Sequence, residues 1–247
     1  MVYLMPMEKK LIRRVNLLTI YACVSTLILG IVLCSSFRQR GENVDELTIK
    51  RLNIVGEDGS LRLVISNETR QHPGRMDGQD LPKRDRPAGI IFFNNKGDEC
   101  GGLTGADVSG KDTLNSGASF TMDNYRNDQV VEMVNEETYQ NGKANIRRGF
   151  VVNEFPVGSS LMNTVHQLTA IDSIKDAGER AARLKKLKDK EWPSRRLFVG
   201  RDLDDNSGLF LYDDKGRPRL KIYVDKDGHA RLEELDEKGN AKNLIKP

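Results

Sequence analysis

Leu17 to Ser36, LLTIYACVSTLILGIVLCSS, contains no charged residue. At about 1.5 Å rise per residue, a helix of roughly 20 residues is about 30 Å long, the thickness of a bilayer's hydrocarbon core. This stretch therefore predicts a membrane span, and it divides the rest of the chain between two compartments. Lys9, Lys10, Arg13 and Arg14 precede it, against Arg38 and Arg40 after it. Cytoplasmic flanks carry the excess of Lys and Arg, so residues 1–14 are expected inside, 15–37 as a signal anchor, 38–46 as a linker and 47–247 outside. A cleaved signal peptide wants a shorter apolar region ending in small residues, whereas this one ends in Leu33-Cys34. Lipidation at Cys34 would want a small residue where Leu33 stands.

Once the span is set aside, the charge balance loses its apparent meaning. The chain has 39 Lys and Arg against 36 Asp and Glu, a net +3, but residues 1–40 hold six of the bases and one of the acids. The outer part is near neutral, with no basic stripe interleaved with aromatics, which argues against nucleic acid as a partner. Cys23 and Cys34 lie in the apolar stretch, leaving Cys100 alone outside it. No disulfide can form within the outer part, and Cys100 is either buried or free for an intermolecular bond, compatible with a homo-oligomer.

From Leu47 onward the texture is that of short strands around glycine turns. Glu57-Asp58-Gly59, Asn95-Lys96-Gly97, Asp214-Lys215-Gly216, Lys226-Asp227-Gly228 and Glu237-Lys238-Gly239 each put Gly where a hairpin loop needs positive φ. Arg62, Arg219 and Arg231 fall three residues after their glycines, with Lys242 in the corresponding place. A mainly β fold follows, either a meander or a short β-solenoid. Regular arginines suggest an anion ladder, but bases opposite Asp and Glu on a solvated strand face explain them more simply.

Two stretches stand out as candidate sites. Residues 67–87, NETRQHPGRMDGQDLPKRDRP, are rich in Pro, Gly and charge and without periodicity, which predicts a long surface loop with little core. Arg70, Arg75, Lys83, Arg84 and Arg86 make it the expected partner-binding loop. AGIIFFNN (88–95) reads as a strand buried on both faces, and after its turn comes Asp98-Glu99-Cys100 with Gly101, Gly102 and Gly105. A thiol nucleophile needs a base, and His72, His166 and His229 lie far off in sequence. The glycines form no phosphate-binding fingerprint and are better explained by close strand packing. Asp107, Asp112, Asp202, Asp204 and Asn206 lack the register of a calcium loop. No metal, cofactor or catalytic residue is implied.

Ala118, Phe120 and Met122 alternate with Ser119, Thr121 and Asp123 in a further strand, with others over QVVEMVNE and NIRRGFVVNEF. Leu161, Val165, Leu168, Ile171 and Ile174 predict a helical insertion over about 160–190, capped near Ser159 and broken at Gly178.

With RLNIVGEDGSLRLVISN, RPAGIIFFNNKGDECGGLTG, SFTMDNYRNDQVV and GRPRLKIYVDKDG in view, the chain resembles a group of uncharacterised bacterial membrane-anchored β-repeat envelope proteins, over most of residues 11–245. The resemblance implies a bacterial setting with the outer domain facing the periplasm or exterior, and it carries over no catalytic residue. The expected function is a single-pass, non-enzymatic envelope protein that binds or scaffolds a protein or envelope partner. An envelope hydrolase acting on glycan or peptide, with Asp98, Glu99 and Asp123 converging in a cleft, is the alternative, and a small-ligand sensor a third. Carboxylates meeting in one pocket would favour the enzyme; their dispersal would favour the scaffold.

Overall fold

A computed structural model describes residues 6–36, 44–110 and 112–245. The first part of the expected linker, residues 38–43, lies outside them. The chain divides into two compact units, 1–48 and 49–247. In the first, helix α1 (Pro6–Ser36) starts well before the uncharged stretch, with proline at a helix-initiating position. It is long and apolar enough to cross a membrane by length and composition. Three of its hydroxyls are satisfied internally: Thr19, Thr26 and Ser35 donate to the carbonyls of Val15, Ala22 and Ile31 at 2.9, 2.9 and 2.7 Å.

The second unit is built on one antiparallel sheet of 12 strands. Its strands are β1 (Arg51–Val55), β2 (Leu61–Ser66), β5 (Ala88–Phe93), β6 (Glu99–Ser109), β7 (Thr113–Asp123), β8 (Gln129–Gln140) and β9 (Lys143–Glu154), followed by β10 (Ser194–Arg201), β11 (Ser207–Tyr212), β12 (Pro218–Val224), β13 (Ala230–Leu235) and β14 (Ala241–Asn243). They lie side by side in chain order, so the arrangement is a meander rather than a solenoid, and β1 does not pair with β14 to close it. Two excursions interrupt the order. Residues 67–87 carry a small hairpin, β3 (Arg75–Met76) and β4 (Gln79–Asp80), and the β9–β10 connection carries α2 (Leu161–Asp172) and α3 (Ala177–Glu191). The helical break falls at residues 173–176, not at Gly178, because Asp176 caps α3 by accepting from the Glu179 N–H at 2.6 Å and leaves Gly178 inside the first turn. Ser160, not Ser159, precedes α2.

All five anticipated turn glycines have positive φ, between 73° and 87°. The residue that opens the turn fixes it. Asp213 Oδ1 accepts from the N–H groups of Lys215 and Arg217, and Asp225 Oδ1 accepts from Asp227 and His229. Their second oxygens take the regularly placed arginines, Arg219 on Asp213 and Arg231 on Asp225, each at 2.9 Å. Arg62 likewise reaches Asp58 at 3.0 Å. The arginine series thus pins turns. Asp202–Asn206 is the same turn with Asp205 at φ 66° in place of glycine, a hairpin tip rather than a calcium loop.

Strand alternation sorts the sheet into two unlike faces. Every buried hydrophobic side chain of the 12-stranded sheet lies on one of them: Val64, Ile91 and Phe93 in one cluster, Val134, Val151, Phe198 and Phe210 in another, with Leu235 on β13. Gly149 makes room for Phe198, whose Cε2 would lie 2.6 Å from a Cβ there. Both excursions cover this packed face. His72 meets the Phe93 ring edge-on at 4.9 Å between centroids, and α2 lies over Glu132 and Asn153. The strand at 88–93 is accordingly buried on this face alone, its Ile90 and Phe92 staying half-exposed.

The opposite face carries an unbroken apolar row, one residue per strand, from β1 to β8: Leu52, Ile65, Ile90, Leu103, Phe120 and Met133. It continues through Phe150, Val199, Leu209, Ile222 and Leu232 on β13. A parallel row two residues along runs from Ile54 through Phe92, Met122 and Val152 to Leu220, ending at Glu234. None of these side chains is buried, and Leu103, Met133 and Val199 are 46%, 56% and 43% exposed.

Candidate functional site

The loop at 67–87 is packed structure, contrary to the expectation from its composition. His72, Gly74 and Met76 are buried, and the cations assigned to partner binding are mostly engaged within the unit. Arg75 bonds Asp80 at 2.8 Å and the Gly78 carbonyl at 2.9 Å, and Arg84 donates to the Pro73 carbonyl at 3.1 Å. Arg86 makes a two-pronged pair with Glu99 at 2.7 and 2.8 Å and also reaches the His72 carbonyl. Only Arg70 and Lys83 of the five keep exposed side chains without such an anchor among the described residues. The hairpin tip is tied down as well: Asp77 holds Arg126 of the β7–β8 turn at 2.5 and 2.8 Å, and the Gly78 N–H donates to Asp98. Two isolated anchors, His72 and Met76, supply the burial, and isolated anchors leave no periodicity to read.

The Asp98-Glu99-Cys100 stretch sits beneath this loop, and its members go different ways. Asp98 is buried as the acceptor for the loop tip. Glu99 is committed to Arg86, both side chains being 13–14% exposed. The Cys100 thiol is pushed up by burial, then by the charges of Asp123 and Glu99, which makes it a poor nucleophile. Gly101 and Gly102 permit close strand approach, since a Cβ at Gly101 would stand 2.3 Å from the Thr121 carbonyl oxygen.

Asp123, at the end of β7, is the third carboxylate of the hydrolase alternative. Burial, reinforced by the charges of Glu99 and Asp128 and opposed by Arg86, pushes its carboxyl up to about 7. Its Oδ1 is buried without a hydrogen-bond partner. His72, remote in sequence, is carried by the loop to 3.9 Å from Asp80 and into the electrostatic reach of Glu99 and Arg86, and burial lowers its pKa against the charge of Asp80. Asp123 is thus a carboxylate of raised proton affinity lying in the field of Glu99, and a carboxylate shifted in this way is the raw material of acid–base chemistry.

Two cavities at this end of the sheet are lined by other residues. A cavity of about 280 Å³ between the β7–β8 turn and α2 is lined by Asp128, Glu132, Asn153, Leu168, Glu191 and Trp192, but by neither Asp123 nor Glu99. A second, over the β7–β8 turn and the β9–α2 connection, is lined by neither carboxylate as well. Among the described residues, no three His, Cys, Asp or Glu side chains are grouped to hold a metal ion. No family model, curated protein or solved structure matches this chain.

Proposed function

We propose that this chain is a single-pass, membrane-tethered bacterial envelope protein, with its N-terminus inside and its β unit outside, that works by binding a protein partner rather than by catalysis. One observation carries the reading: the apolar rows across the sheet are left uncovered by every described element of the β unit. Isolated surface hydrophobics need no explanation, but a contiguous patch beyond about 300–600 Å² marks an interaction site. The binding surface is therefore assigned to this face, in place of the loop at 67–87. The burial of Asp123 Oδ1 and the commitment of Glu99 to Arg86 favour structural over catalytic roles for both.

A photoreactive side chain at Leu103 of the full-length protein, in intact spheroplasts, should form a protein adduct that externally added protease then digests. The same group at Asn145, exposed on the opposite face, should give none. Equal labelling at the two positions would end the binding-face assignment, and adducts resistant to protease would reverse the orientation.

A further inference from the structure

We propose that the partner on this face is a second copy of the chain, the two sheets packing face to face about a two-fold axis that passes by Met133. The proposal rests on the binding-face reading and names its occupant.

The size of the patch fits a second copy. Strands about 4.8 Å apart and residues of one face about 6.8 Å apart make two rows across eleven strands roughly 50 Å by 14 Å, or about 700 Å². That is more than a monomer ordinarily exposes. Doubled across two copies it is about 1,400 Å², within the roughly 1,200–2,000 Å² of a stable protein interface. Sheets also bury apolar faces against one another as a matter of course, about 10 Å apart with interdigitating side chains.

The symmetry of the patch fits it too. In a two-fold interface the patch must complement itself, and the residue on the axis meets its own copy. The continuous row has Met133 at its midpoint, five positions from Leu52 and five from Leu232. Met133 is 56% exposed and is flanked in the row by Phe120 and Phe150. Aromatic anchors beside the centre of that row are expected of an interface, and a flexible thioether tolerates meeting its own image.

The rim agrees with both. On this face the polar residues lie beside the rows or, as Glu234 does, at the end of one. Arg148 is held by Glu137 and Asn135, each at 2.7 Å, with Arg201 beyond it and Glu234 at the far end. An apolar core with a polar rim is interface anatomy. The mixed, internally paired charge offers no field to attract an anionic lipid surface or a strongly charged partner.

The test uses the full-length chain in its own membrane, with Cys23, Cys34 and Cys100 replaced by Ser and one new cysteine added. On mild oxidation, Met133→Cys should give at least tenfold more disulfide-linked homodimer than Asn145→Cys, with two differently tagged copies found in one band. Adding Leu103→Glu or, separately, Ile222→Glu should cut that yield at least fivefold; both sites are exposed, and an unchanged thermal midpoint of the dilute protein checks that each variant folds. A Met133→Cys yield no higher than that of Asn145→Cys overturns the second copy. In that event a heterologous protein adduct from a photoreactive group at Leu103 leaves the binding-face reading standing, whereas lipid adducts alone, or none, overturn both.

Discussion

The two faces of the sheet are built from the same strands, yet they have opposite fates. The packed face mixes Val64, Ile91, Val151 and Phe198 with glycines and polar residues, and it holds every buried hydrophobic side chain of the sheet. The other face is the more continuously apolar and holds none. Hydrophobic content therefore does not decide which face is covered. The excursions decide it: residues 67–87 leave after β2 and return at β5, α2–α3 leave after β9 and return at β10, and both lie on the same side. In this fold the meander supplies two surfaces and the insertions choose one.

The largest effect should come from removing a cover. Replacing residues 68–86 with a short Gly/Ser linker would strip His72 from Phe93, expose the Met76 site and leave Glu99 buried without Arg86. Breaking such an ion pair costs about 3–5 kcal/mol by itself. For a unit of this size the thermal midpoint should fall by about 10 °C or more, or the fold be lost. A midpoint within about 2 °C of the parent, followed by circular dichroism, would make the loop ornamental and erase the difference between the faces.

A pair of truncations sharpens the comparison. Phe198→Ala on the packed face should cost about 3–5 kcal/mol, as buried Phe→Ala changes do. Phe150→Ala, one strand away on the bare face, should cost clearly less, about 1–2 kcal/mol in dilute detergent solution, because its ring is already 37% exposed in the single chain. Equal costs in urea titrations would mean that something within one chain covers the bare face.

Much of this architecture was legible in the sequence where local chemistry alone decides. The turn glycines at 59, 97, 216, 228 and 239 were readable because positive φ excludes most side chains, and the turn at Asp202–Asn206 fell outside that series because Asp205 occupies the conformation without being glycine. Strand alternation over Ala118, Phe120 and Met122 was readable too, but a period of two says that a strand has an apolar side, not what lies on it. Gly178 looked like a helix break, whereas Asp176 caps the second helix and sets its start. The meeting of Asp123 with Glu99, and the approach of His72 to Glu99, depend on strand register and on a loop fold that no linear motif encodes.

The smallest difference between the faces to test is one of proton affinity. On the rim of the bare face, Glu137 is held down to about 2 by the Tyr139 hydroxyl, Arg148 and Asn135. Near the packed face, Asp123 is pushed up to about 7 by burial and by Glu99 and Asp128. A carboxyl whose folded pKa lies above its unfolded value near 3.8 binds a proton in the native state that the unfolded chain has released. Between about pH 4 and 7, Asp123 therefore makes stability fall as pH rises. His72, whose pKa burial lowers, has the opposite sign, its contribution growing as pH rises towards 6.5; comparing two proteins that both retain it removes most of that contribution. Asp123→Asn keeps the shape and cannot ionise. Relative to the parent it should be nearly neutral at pH 4 and stabilising by about 2–4 kcal/mol at pH 8, since each tenfold change in proton affinity is worth about 1.4 kcal/mol. Urea titrations at pH 4, 6 and 8 measure the difference directly. A difference independent of pH would mean that water or a polar partner reaches Asp123, so that the covered face is not sealed at the end of β7.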